Sequence, residues 1–210
     1  MKFFSKIEET KLASALVKMK DVNIGCCKLT SSQFEHLFQG MKSETSKIEK
    51  LDISFNNVID IKTSLFVDTV VRLKSLDLTH CETSLDKIKK LFMKLNSEES
   101  KIEQINISCK DLSSVDSLVF AEAIVRIKNV ELHDSRLTSE QTKQLFKKLC
   151  TSSSNRIETL ILRENKLNHI DIDTLFNALT TLKTVDVSRC KLYSTGHNLF
   201  MKLSEGNGKL

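Results

Sequence analysis

The stretch Leu51-Asp52-Ile53-Ser54-Phe55-Asn56-Asn57-Val58 sets apolar side chains at its first, third and last positions and an asparagine between them. Leu160-Ile161-Leu162-Arg163-Glu164-Asn165-Lys166-Leu167 repeats the arrangement. The opening apolar-x-apolar triplet recurs as Val22-Asn23-Ile24, Leu76-Asp77-Leu78, Ile105-Asn106-Ile107, Val130-Glu131-Leu132 and Val185-Asp186-Val187. Taken in chain order, the triplets fall at intervals of 29, 25, 29, 25, 30 and 25 residues. The alternation makes the true unit a pair of repeats. The dipeptides Leu37-Phe38, Leu91-Phe92, Leu145-Phe146 and Leu199-Phe200 mark the same pairing, each 54 residues from the next. Triplets with period two are short strands, since successive strand side chains point to opposite faces.

Beyond each strand the period lengthens to about 3.6, that of an amphipathic helix. The stripes are Phe34, Leu37, Phe38 and Met41, then Leu65, Phe66, Val70 and Leu73, then Phe120, Ala123, Ile124 and Ile127. Leu145, Phe146 and Leu149 follow, then Leu175, Phe176, Leu179 and Leu182. These phenylalanines read as core. Thr30 with Gln33, and Thr138 with Gln141, have the spacing of capping boxes, in which each side chain satisfies an orphan helix N–H.

The pattern LxLxxNxL resembles the leucine-rich repeat. In the other phase the asparagine place is taken by Cys27, Cys81 and Cys190, while Lys110 and Ser135 depart from the pattern. A side chain at this place sits inside the turn after the strand, where an amide or a small thiol can meet backbone groups of the neighbouring coil. Paired repeats of unequal length with alternating Asn and Cys resemble the ribonuclease-inhibitor-like subfamily, which includes ribonuclease inhibitor and the sensing domains of NOD-like receptors. The resemblance covers the whole chain. It implies an α/β right-handed solenoid, a horseshoe with parallel strands concave and helices convex: a single solenoid over residues 1–210, of about seven repeats. The short phase predicts shortened alternate helices or loops.

Composition narrows the function classes. The 210 residues include no proline, no tryptophan and only 5 glycines, where average usage would give about 10 prolines and 15 glycines. That argues against Gly-rich phosphate loops and hairpin-rich sandwiches. The N-terminus has no apolar run long enough for a signal peptide, and no segment is apolar enough to span a membrane. A cytoplasmic protein with free thiols is the expectation for its 6 cysteines. The net charge of +5 falls short of a nucleic-acid-binding stripe, and the helix lysines lack interleaved aromatics for base stacking.

Binding is expected on the strand face, where the outward residues form columns. The first is Asn23, Asp52, Asp77, Asn106, Glu131, Ile161 and Asp186. The second is Gly25, Ser54, Thr79, Ser108, His133, Arg163 and Ser188, and the third is Cys26, Phe55, His80, Cys109, Asp134, Glu164 and Arg189. The first column is acidic on a net basic chain. Lys87, Lys89, Lys90, Lys94, Lys143, Lys147 and Lys148 are assigned to a solvated outer helix face. The expected function is therefore non-enzymatic: recognition of a protein ligand, of basic character, by the concave face, in innate-immune sensing or inhibition as the resemblance implies. The counter-explanation is that Asp in these strands serves solubility alone. His80, Cys109, and His133 or Asp134, on successive strands, raise a zinc site or Cys-His pair. The absence of a repeated arrangement or an oxyanion hole weighs against it, so no catalytic residue, metal or cofactor is assigned.

The termini support a second possibility. Phe4, Ile7, Leu12, Ala15, Leu16 and Met19 align with Leu112, Val115, Phe120, Ala123, Ile124 and Ile127, and Phe200-Met201-Lys202-Leu203 aligns with Phe92-Met93-Lys94-Leu95. Neither end shows a polar capping unit of the kind solenoids use. The alternative is thus a structural segment of a longer array that self-associates end to end, through residues such as Phe4, Leu12 and Leu203.

Overall fold

The computed structural model describes residues 6–192. The chain divides into two compact units, Met1–Ser108 and Cys109–Leu210. The expected contacts of Phe4, Leu199, Phe200 and Leu203 lie outside the described residues, and Leu12 is buried within its own unit.

In the first unit the strands β1 (Asp21–Asn23), β2 (Lys50–Asp52), β3 (Ser75–Asp77) and β4 (Gln104–Asn106) pair in parallel and in chain order. Val22, Leu51, Leu76 and Ile105 are in register at their centres. Parallel neighbours need a crossover, supplied by α2 (Ser31–Met41), α3 (Thr63–Val70) and α4 (Leu85–Leu95), while α1 (Glu9–Leu16) precedes β1. Neighbouring helices pack on one another. The core between helices and sheet is built on Phe34, Phe38, Phe66 and Phe92, all fully buried. Phe38 meets the edge of Phe66 with ring centroids 5.5 Å apart, a geometry favoured by the ring quadrupole.

The second unit repeats the plan. Strands β5 (Asn129–Glu131), β6 (Thr159–Ile161) and β7 (Thr184–Asp186) are parallel and in order. Helices α5 (Ser117–Ile124), α6 (Ser139–Thr151) and α7 (Ile172–Leu179) accompany them. Phe120 and Phe146 are fully buried.

The unequal spacing read from the sequence is mostly a difference of helix length. α1, α3, α5 and α7 have 8 residues each, α2 and α4 have 11, and α6 has 13. Both expected capping boxes are present. Thr30 Oγ1 accepts from the Gln33 N–H while Gln33 Oε1 accepts from the Thr30 N–H, and Thr138 and Gln141 do the same.

One assignment is corrected. Lys87 is not on a solvated face: it is 2% exposed, and its Nζ donates to the Ile59 carbonyl at 2.7 Å. It occupies in α4 the third helical position that Gln33 and Gln141 hold in α2 and α6. Those amides likewise reach back to carbonyls of the preceding coil, at Ile7, and at Leu112 and Val115. Burial pushes the Lys87 ammonium below its ordinary range, opposed by the charges of Asp60 and Asp86. The 54-residue spacing of positions 33, 87 and 141 carried this information, but a lysine read by composition alone counts as surface.

Candidate protein-interaction surface

The strands are only three residues long, and a repeated turn ends them. In the first unit the side-chain oxygen Oδ1 of Asn23, Asp52, Asp77 and Asn106 accepts the N–H two residues on, from Gly25, Ser54, Thr79 and Ser108, at 3.0, 2.9, 2.8 and 3.1 Å. Asp186 makes the same bond to Ser188 in the second unit at 2.8 Å. This is an Asx turn, and it gives the first column a local structural task. The sequence signal is Asp or Asn followed two places later by Ser, Thr or Gly. Neither Glu131 nor Ile161 has the short carbonyl-bearing side chain the turn requires.

The third residue after each strand is left-handed, whether or not the Asx turn is made. Cys26, Phe55, His80, Cys109, Asp134, Glu164 and Arg189 have φ between 45° and 62°. The third column therefore does not lie on the strands, as expected from the sequence, but in the turns that follow them. Left-handed backbone costs an L-residue about 1–2 kcal/mol, and none of the seven is glycine or asparagine. Lys28, Arg136 and Lys191, which directly follow Cys27, Ser135 and Cys190, are left-handed as well.

Buried Asn56, Asn165 and Cys190 hold their turns. Asn56 Nδ2 donates to the carbonyls of Ile24, Ile53 and Ser54, and Asn165 Nδ2 to those of Leu132, Leu162 and Arg163. Asn165 Oδ1 also accepts the Leu137 N–H at 3.3 Å. The Cys190 thiol donates to the Leu162 carbonyl at 3.2 Å. Desolvation raises this thiol to about 11.

On the first unit, Phe55 is 54% exposed. Its ring is stacked obliquely on that of His80, with centroids 4.7 Å apart and planes at 33°. The two residues stand in successive turns of the third column, with Cys26, also exposed, one turn before them. Asp52 and Asp77 are half-buried. Asp77 Oδ2 accepts from Asn106 Nδ2 at 3.3 Å. Between acids and rings lie only small residues. A Cβ on Gly25 would come within 2.7 Å of Ser54 Oγ and 3.1 Å of Asp52 Oδ1, so this position admits nothing larger than glycine without displacing its neighbours. A further outward column precedes the first and was missed in the sequence, because the strands are centred on one apolar residue: Asp21, Lys50, Ser75 and Gln104. Lys50 Nζ pairs with Asp21 at 3.6 Å, and no ion pair of Asp52 or Asp77 occurs among the described residues.

On the second unit the corresponding face is a charge network. Arg189 donates to Glu164 Oε1 at 2.7 Å, and the guanidinium Nε of Arg163 lies 3.9 Å from the same oxygen. The bond from Arg189, with help from the charges of His133 and Arg163, holds the Glu164 carboxyl below its usual range against the opposing effect of desolvation. Asp186 is lowered chiefly by its bonds from Ser188. His133 Nδ1 lies 3.3 Å from the Arg163 carbonyl. The Cys109 thiol is raised by desolvation and by the negative charges of Asp134 and Glu164. That is the reverse of what a thiolate nucleophile needs. Glu131 and Asp134 are exposed. Among the described residues no group of three or more His, Cys, Asp or Glu side chains is placed to hold a metal ion, and no helix is long and apolar enough to cross a membrane.

No protein-family model matches the chain, and no curated protein matches its sequence.

Proposed function

We propose that the chain is a ribonuclease-inhibitor-like leucine-rich repeat protein, a right-handed solenoid, whose strand face binds a protein partner without catalysis. Support for the family assignment is local. Three-residue parallel strands alternate with helices of 8 residues and of 11 or 13, and Asn56, Asn165 and Cys190 at one recurring place bond a carbonyl of the preceding coil. Innate-immune sensing or inhibition, in the cytoplasm, is the role this resemblance suggests.

The observation that carries the binding function is Phe55. A large apolar ring left more than half exposed gains little from burial, and its left-handed backbone costs stability. The left-handed backbone recurs in all seven coils and belongs to the fold, but the exposed ring does not serve it, whereas an exposed aromatic anchor beside carboxylates serves recognition. Immobilised wild-type protein and the variants Phe55→Ser and Asp77→Lys, passed over cytosolic extract, provide the test. A protein retained by the wild type is expected to be lost from both variants, and more readily eluted by salt from the wild type than an apolar contact would be. An identical set of retained proteins on all three overturns the proposal.

A further inference from the structure

We infer that the Phe55–His80 pair, with Asp52 and Asp77, is a seat for an arginine side chain of the partner; this rests on the binding function proposed above and names the chemistry the surface selects. The two rings form one platform, 4.7 Å between centroids, in consecutive left-handed turns. Phe55 offers open surface on a ring whose other neighbour, Cys26, is small and exposed. Three residues before each ring stands a carboxylate that spends Oδ1 on its own turn and makes no ion pair among the described residues. Lys50, the cation nearest in sequence on this face, is engaged with Asp21.

The floor between carboxylates and rings consists of Gly25, Ser54 and Thr79, so a long, flat side chain can lie across it. Arginine fits each of these features at once. Its guanidinium is planar and weakly hydrated, stacks on aromatic faces, and directs N–H donors from its edge toward carboxylate oxygens. A lysine ammonium supplies the charge but holds its water more tightly and has no plane to stack. The surface thereby discriminates between two cations that a merely acidic face would treat alike.

The probes are three blocked hexapeptides of alternating glycine with arginine, lysine or citrulline, titrated into the full chain and followed by the amide shifts of Ser54, Phe55, Thr79 and His80. The arginine peptide is expected to bind at least about threefold more tightly than the lysine peptide, and the neutral citrulline peptide more weakly than either. Phe55→Leu, which keeps an apolar group but no ring, is expected to erase the difference between arginine and lysine. Asp52→Asn combined with Asp77→Asn should weaken both cationic peptides alike. It leaves the turns intact, since Asn23 and Asn106 already make the same bond. Equal binding of the arginine and lysine peptides, a preference that survives Phe55→Leu, or no binding of the arginine peptide each overturns the inference. None of these outcomes bears on whether the Phe55 and Asp77 variants lose a captured protein, so the broader proposal stands or falls separately.

Discussion

The thiol of Cys190 donates to the carbonyl of Leu162 at 3.2 Å, the bond that Asn165 Nδ2 makes to the carbonyl of Leu132 at 2.6 Å in the preceding coil. A thiol and an amide thus serve one backbone group at the same point of successive turns. They are not equal: the amide also reaches Leu162 and Arg163 and accepts the Leu137 N–H, whereas the thiol is a weaker donor with fewer partners.

Asn165→Ala should therefore destabilise the protein more than Cys190→Ala. Removing the amide strands buried carbonyls and an N–H, with a cost of about 1–3 kcal/mol for each group left without water or partner. Denaturant midpoints of the two variants measure the difference, and equal midpoints would contradict the role given to the asparagine.

The Cys190 thiol also sets an alkaline limit. It is raised in the folded protein from an ordinary value of 9.0 to about 11, so between these values the unfolded chain has lost a proton that the folded chain keeps. Folding stability falls as pH rises through that window, by up to about 2–3 kcal/mol for two pH units. Below pH 9 the contribution is constant. Cys190→Ala should flatten the alkaline fall seen in urea titrations from pH 8 to 11, after the common contribution of other groups is subtracted.

Lys87 has the opposite sign. Its ammonium is lowered by burial, so between the folded and ordinary values the unfolded chain binds the extra proton and stability rises with pH. Lys87→Gln places at this position the residue found at 33 and 141. It should leave stability at neutral pH unchanged or raised by up to about 1 kcal/mol, because a neutral donor is cheaper to bury. Lys87→Met should lose about 1–3 kcal/mol by leaving the Ile59 carbonyl without its partner. Thermal melts that rank methionine above glutamine would overturn the account.

The core makes a plainer demand. Phe146 is fully buried between helix and sheet, and Phe146→Ala should cost about 3–5 kcal/mol. Phe55→Asn, on the exposed left-handed turn, should change stability by no more than about 1 kcal/mol in either direction, since relief of the backbone offsets the lost ring contact. A large loss at position 55 would make Phe55 a structural residue and remove the reason for placing a partner there.

Much of the architecture could be read in the chain. The triplets around Val22, Leu51, Leu76, Ile105, Val130, Leu160 and Val185 became the seven described strands, and Thr30 and Thr138 cap the helices they were expected to cap. These features depend on side chains a few residues apart, and periodicity reports them directly. The left-handed backbone of the third column was not legible, and Ser108 of the second column is buried.

Tertiary structure decided the rest. Asp52 and Asp77 looked like a charged binding column; the fold shows each spending one oxygen on its own turn. Phe55, His80 and their counterparts looked like strand residues, yet all are left-handed, those after Glu131 and Ile161 included, because each strand ends three residues earlier. That conformation and the 25-residue separation of Phe55 and His80 together bring their rings into contact, and no local pattern announces it. Lys87 is the same lesson in the interior. Composition assigns a lysine to water, but the third position of α4 points into the preceding coil, where the Ile59 carbonyl waits for a donor. Sequence fixed the period of this protein through local side-chain chemistry; the burial and pairing of residues a full coil apart depend on how successive coils stack, which only the folded chain determines.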